Sequence, residues 1–241
     1  MPLVIGLLAL ILLPGCPSSA RLAGTGGGVG PSAAPVAPPQ TPPGPEAAAS
    51  AEQPAETTGE KAEENQPDLT GKRVVMVVAP DKFRDEEFEI PYETLSRYGA
   101  KVTVVSLTKG ECVGVKGTKV QAVKGIAEIK AADYDALVFA GGPGMVKHLN
   151  EPRFVAAAQA FAKAGKLVAA ICVSPVILAN AGILKGHKAT CWSSMKPKLA
   201  EKGAEPVDKD VVVEGKLITG SGPPASTAFA RAIAAVLAAE E

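Results

Sequence analysis

The chain has 241 residues, 46% of them hydrophobic and 4% aromatic, and its acidic and basic side chains are equal in number. That length holds one domain of ordinary size plus additional segments. No Lys/Arg cluster alternates with aromatic residues, which excludes a nucleic-acid-binding reading. The cysteines and histidines lack metal-ligand spacing, so neither metal nor other cofactor is expected. The zero net charge hides two unlike parts: residues 1–69 hold seven acidic and two basic residues, leaving 18 acidic and 23 basic on the remainder.

Leu3 to Leu13 is an apolar run broken only by Gly6. It suits the hydrophobic part of a signal peptide and is short for a membrane span. It ends at "LPGC", Leu13 to Cys16, which resembles a bacterial lipobox. Residues 1–16 are therefore expected to be a signal peptide, with Cys16 lipidated and the protein at a bacterial cell envelope, either lipid-anchored or secreted/periplasmic. Pro14 is unusual in that motif and no Lys or Arg precedes the run, so an uncleaved anchor or a misassigned start is the alternative. Residues 17–69 are dominated by Pro, Ala, Gly, Glu and Gln. Such a segment cannot bury enough apolar surface to offset the entropy of ordering, and it reads as a linker.

From residue 70 the pattern changes. "RVVMVVA" (Arg73 to Ala79), "KVTVVSL" (Lys101 to Leu107), "YDALVFA" (Tyr134 to Ala140) and "KLVAAIC" (Lys166 to Cys172) have the apolar, β-branched character of buried parallel strands. Helices are predicted over Asp85 to Gly99, Pro152 to Gly165, Val173 to Gly182 and Thr227 to Glu240. A hairpin is predicted between Gly110 and Val123, a strand over His187 to Trp192, and a further hairpin over Val211 to Thr219. The alternation means an α/β domain with a mainly parallel sheet, covered by helices on both faces. Sites in such sheets form at the carboxyl ends of the strands. Four loops meet there: Pro80 to Glu87, Gly141 to Gly144, Cys172, and Trp192 onward.

Cys172 stands where a strand turns at once into a helix. That corner pushes a side chain out over the sheet, as at the nucleophile elbow of hydrolases. Small residues must flank such a turn, and Ala170 and Ser174 are small. A helix starting at Val173 would aim N–H groups and a positive dipole end at the sulfur and lower the thiol pKa. Glycines in "GGPG", Gly141 to Gly144, allow close backbone approach. The N–H of Gly142, with that of Val173, could form an oxyanion hole. Cys191 and Trp192 are adjacent, so on one strand only one of them faces the pocket. His187 precedes its strand and belongs at the far end of the sheet, whereas His148 follows the glycine turn.

"AGGPG", then "AAICVSPVILANAGILKGHKAT", then "VVVEGKLITGSGP" resemble the ThiJ/PfpI superfamily over the whole folded part, about Gly71 to Leu237. That family includes a protein deglycase and an intracellular protease and is related to class I glutamine amidotransferases. The resemblance implies a flavodoxin-like α/β sandwich and a homodimer or higher homo-oligomer. It also singles out Glu87, four positions before Pro91, as the carboxyl that hydrogen-bonds the cysteine sulfur. By itself the sequence does not separate Glu87 from Asp85, Glu86 and Glu89. The departures are specific. Val173 stands where the protease-like branch has histidine. Trp192 stands where the deglycase branch has one, and Ser221 replaces an arginine.

Two functions follow. In the first, Cys172 adds to a small electrophilic carbonyl such as methylglyoxal, Glu87 relays a proton, Gly142 and Val173 stabilise the oxyanion, and Gly141 and Trp192 line the pocket. This is a glyoxalase- or deglycase-like activity. Peptide hydrolysis is disfavoured, because protonating the leaving group calls for the missing histidine. In the second, the cysteine is oxidised without turnover, as in a redox or stress sensor. No charged anchor for a substrate is evident, and any membrane attachment runs through the N-terminus.

Overall fold

The structure is a computed structural model that describes residues 66–239. The expected signal peptide, Cys16 and most of the expected linker lie outside the described residues. β1 (Arg73–Val77) leads through a short β2 (Asp81–Phe83) into α1 (Asp85–Arg97). β3 (Lys101–Ser106) is followed by the hairpin of β4 (Gly110–Gly114) and β5 (Lys119–Ala122) and by β6 (Lys124–Gly125). Then come β7 (Ala136–Phe139), α2 (Pro152–Lys163), β8 (Leu167–Ile171) and α3 (Pro175–Asn180). β9 (Lys188–Ala189), α4 (Lys196–Glu201) and β10 (Glu205–Pro206) precede the hairpin of β11 (Val211–Glu214) and β12 (Leu217–Gly220), and α5 (Ser226–Ala238) closes the domain.

The main sheet has seven strands in the order β11-β12-β8-β7-β1-β3-β6. Only the edge strand β11 runs antiparallel to its neighbour. From β1 the chain crosses through α1 to β3 on one side, and from β7 through α2 to β8 on the other. Right-handed crossovers moving in opposite directions place α1 and α2 on opposite faces. α5 packs on α1, and α3 packs on α2. Val74 to Val77, all of β7 and all of β8 are consequently buried. That is why these strands are apolar at every position instead of alternating. Phe139 of β7 meets Phe154 of α2 edge to face, with ring centroids 5.7 Å apart.

Three local expectations change. The predicted strand His187 to Trp192 shrinks to β9, which pairs with β10 outside the main sheet. Past β9, Thr190 N–H donates to the Thr219 hydroxyl at 3.0 Å, so it is not free to extend a ladder. The helix predicted from Val173 begins at Pro175, and Val173 and Ser174 form a turn. Proline suits that first helical position because it has no N–H to leave unpaired. Finally, Leu69, the last residue of the expected linker, is buried in the core and its N–H donates to Tyr98 O at 2.7 Å. The folded unit therefore reaches further toward the N-terminus than residue 70.

Candidate active site

The strand register brings the candidate residues to one level. Val77 pairs with Phe139, Phe139 with Ala170, and Ile171 with Gly220. The next residues of each chain segment leave the sheet side by side at its carboxyl end. Cys172 takes a left-handed backbone conformation, φ +65°. That costs a residue with a Cβ about 1–2 kcal/mol. The turn is held from both sides: Cys172 N–H donates to Gly220 O at 2.9 Å, and Cys172 O accepts from Trp192 N–H at 2.8 Å. A third tie, from the Ser174 hydroxyl to Ala140 O at 2.7 Å, fixes the corner to the glycine turn.

Gly141 and Gly142 are needed here. A Cβ on Gly141 would lie 2.7 Å from Cys172 Cβ and 2.7 Å from Glu87 Oε2. Gly141 thus backs the cysteine and does not line the pocket, as had been expected of it. Gly142 has φ +108°, and a Cβ there would collide with the Arg84 backbone nitrogen. These two glycines let the loop before α1 press against the loop after β7. In return, Arg84 N–H donates to Gly141 O at 3.0 Å and Gly141 N–H to Glu87 Oε2 at 3.0 Å.

Glu87 is fully buried and lies beside Cys172, with its Oε2 and the Cys172 Cβ both against Gly141, close enough for the two groups to influence each other's protonation. Its Oε1 has no partner among the described residues. Burial pushes the Glu87 carboxyl up to about 7, against the opposing pull of the Cys172 hydrogen bond, the Gly141 N–H and the Arg84 charge. Burial, together with the neighbouring Glu87 charge, pushes the Cys172 thiol up to about 12, while the N–H groups of Gly142 and Val173 oppose this. The helix end expected to lower the thiol pKa is not in place, since α3 starts at Pro175, two residues later than expected, and spans six residues. The sulfur and the carboxyl behave as one unit. Below about pH 7 both groups are protonated; above it Glu87 releases its proton while the thiol keeps its own, and the thiolate forms when that remaining proton passes to Glu87.

The pocket over Cys172 has a volume of about 240 Å³. Gly142, Val173 and Trp192 line it, as does Arg84. Trp192 is 44% exposed, and its ring packs against Gly222. Cys191 faces a neighbouring cavity that also contains Ser221. His148 does not line the Cys172 pocket; its ring stands against Phe154 with centroids 6.2 Å apart. His187 lies beside Glu214 at the amino end of β12, with Nδ1 3.5 Å from Oε2. Cys112, Cys172 and Cys191 are all unpaired and buried. Burial raises the Cys191 thiol to about 11 and also raises that of Cys112. No His/Cys/Asp/Glu cluster suited to a metal ion occurs among the described residues.

Arg84 is the residue that sequence reasoning missed. It lies within the Pro80 to Glu87 loop already placed at the site, at the N-cap of α1. A cation at the positive end of a helix goes against the usual preference. That mismatch was the available signal.

Known proteins carry the same arrangement of elements. A crystal structure of a ThiJ/PfpI domain protein from Brachyspira murdochii superposes with a TM-score of 0.69 at 31% identity, covering 71% of this chain and 100% of that one. An uncharacterized protein of Methanocaldococcus jannaschii is 42% identical over 165 residues, which is 67% of this chain and 80% of that protein. A Pyrococcus abyssi protein named as a deglycase is 35% identical over 151 residues, 62% of this chain and 90% of that protein. Residues 72–236 match the DJ-1/PfpI family pattern. With the parallel sheet and the cysteine corner already in place, these matches establish that the chain belongs to the DJ-1/PfpI family.

Proposed function

We propose that this protein is a cysteine-dependent enzyme acting on small reactive carbonyls, in the manner of a glyoxalase or deglycase. The observation that carries this reading is the buried Glu87 carboxyl packed beside Cys172 at Gly141, beneath an open pocket. When the shared proton sits on Glu87, the Cys172 thiolate adds to the aldehyde carbon of a 2-oxoaldehyde, and the aldehyde oxygen takes up a proton to give a hemithioacetal. The N–H groups of Gly142 and Val173, which favour negative charge at the Cys172 sulfur, would also stabilise the developing oxyanion. The Glu87 carboxylate then removes the proton from C1. The C–H electrons move toward C2, and the proton is returned there. C1 is thereby oxidised to a thioester and C2 reduced to an alcohol, with no external oxidant. Water hydrolyses the thioester, releasing a 2-hydroxy acid and restoring the thiol. Peptide hydrolysis fits less well, because Val173 follows the cysteine and neither histidine lines the pocket.

The test is methylglyoxal turnover by the full chain, followed as lactate formation. Many turnovers per protein, lost in Cys172→Ala, are expected. Stoichiometric oxidation of Cys172 without turnover would replace this reading with the sensor. Assembly as a homo-oligomer and attachment to the cell envelope through Cys16 are proposed alongside it. For the attachment, labelling with radioactive palmitate that persists unchanged in Cys16→Ala would refute the anchor.

A further inference from the structure

Arg84 is the one charged side chain lining the Cys172 pocket. No carboxylate or carbonyl pairs with its guanidinium among the described residues, and its Nε is buried without a hydrogen-bond partner. The contrast with the neighbouring cavity of about 430 Å³ is direct: there Lys196 forms an ion pair with Asp208. A buried, unpaired donor is costly unless something else supplies the acceptor. Glu86 and Glu87 are within electrostatic reach of Arg84, but Glu86 Oε1 pairs with Lys116, Glu87 Oε2 accepts from Gly141 N–H, and neither carboxylate forms an ion pair with the guanidinium. The remainder of the pocket wall, including Pro143, Val146 and Val173, is largely apolar. A guanidinium offers several N–H donors in a fixed plane, which matches a carboxylate or phosphate better than a neutral carbonyl.

We infer that the pocket takes carbonyl compounds bearing a small oxyanion, a carboxylate or a phosphate, and that Arg84 binds this group while Cys172 adds to the carbonyl carbon. This rests on the proposed carbonyl addition, and it makes Arg84 a specificity-determining residue.

Alkylation of Cys172 tests it without requiring turnover. Iodoacetate carries the anion; iodoacetamide, of similar size, does not. Both rates respond equally to the supply of thiolate, so their ratio isolates recognition of the negative charge. The iodoacetate-to-iodoacetamide ratio at Cys172, read by peptide mass mapping, is expected to be about tenfold higher in the wild type than in Arg84→Gln. Arg84→Lys, which keeps the charge, is expected to retain part of this difference and guards against a misfolded variant. Equal ratios in all three proteins would overturn the inference. Protection of the wild-type thiol from iodoacetamide separates the two sources. Protection by glycolate points to carboxylated substrates and protection by inorganic phosphate to phosphorylated ones, whereas protection by neither overturns the inference. A protein that turns over methylglyoxal without anion preference loses only the Arg84 inference. One with the preference but no turnover loses only the enzyme reading.

Discussion

Asp85 and Glu87 stand two residues apart in the first turn of α1 and are 1% and 0% exposed, yet their chemistry is opposite. Positions two apart on a helix point to different sides. Asp85 faces the β4–β5 turn, where it accepts from Lys116 N–H at 2.9 Å and Thr118 N–H at 3.1 Å. Burial is the largest single influence on Asp85 and pushes its pKa up, but the donors of Lys116 and Thr118 together outweigh it, and the carboxyl ends below its ordinary value. Glu87 has one backbone donor and a thiol, so burial prevails. Burial alone does not set the charge of a carboxyl group; the number of donors that come with it does. Asp85 is therefore a fixed anion that ties a hairpin to a helix. Glu87 can hold or release a proton near neutral pH.

The largest expected effect is on chemistry. Glu87→Gln keeps the shape and a hydrogen-bond donor but removes the proton relay, so kcat on a 2-oxoaldehyde should fall about 10²- to 10⁴-fold. A loss of less than about tenfold would place Glu87 with Asp85 as a structural carboxyl.

A smaller effect is expected on stability. Asp85→Ala leaves the N–H groups of Lys116 and Thr118 without their acceptor and should cost about 2–4 kcal/mol in urea unfolding. A change under about 0.5 kcal/mol would show that the hairpin does not depend on this carboxylate.

The smallest effect is in the pH dependence, where the two groups have opposite signs. The Glu87 carboxyl is raised from 4.5 to about 7, so the folded state binds its proton more tightly than the unfolded state. Its stabilising contribution is present below the unfolded value and is lost as pH rises through the folded one. Glu87→Gln should therefore be more stable than the wild type at pH 8, by roughly 1–3 kcal/mol, with the difference closing near pH 4.5. Asp85 is lowered, so its contribution is present above the unfolded value and fades as pH falls. Urea unfolding at pH 8 and pH 4.5 checks Glu87, and a further measurement below pH 3.8 checks Asp85. An equal difference between wild type and Glu87→Gln at pH 4.5 and pH 8 would mean that Glu87 does not titrate between them.

How much of this was legible in the sequence depended on the range of the forces involved. The three buried strands β1, β7 and β8 were readable because burial on both faces demands apolar residues at every position, as in "LVAAI" of β8, whereas β3 is half-buried over most of its length. The cysteine corner was readable because a strand running straight into a turn is local. The strand proposed over His187 to Trp192 was not secure, because Thr190 is engaged by the Thr219 side chain from a distant segment. Glu87 was separable from Asp85, Glu86 and Glu89 only by resemblance, since all four suit the start of a helix.

The sequence by itself determined the alternation of strands and helices, the end of the sheet that carries the site, and the identity of Cys172 as its corner. These follow from residue periodicity and from the chain's own local turn. Only the tertiary structure decided which acidic residue meets the sulfur, that the thiol is raised instead of lowered, and that Arg84 enters the pocket unpaired. Each of those outcomes depends on burial and on donors contributed by segments far apart in the chain. Glu87 and Gly141 are separated by 54 positions. No local pattern encodes burial by segments at such a distance.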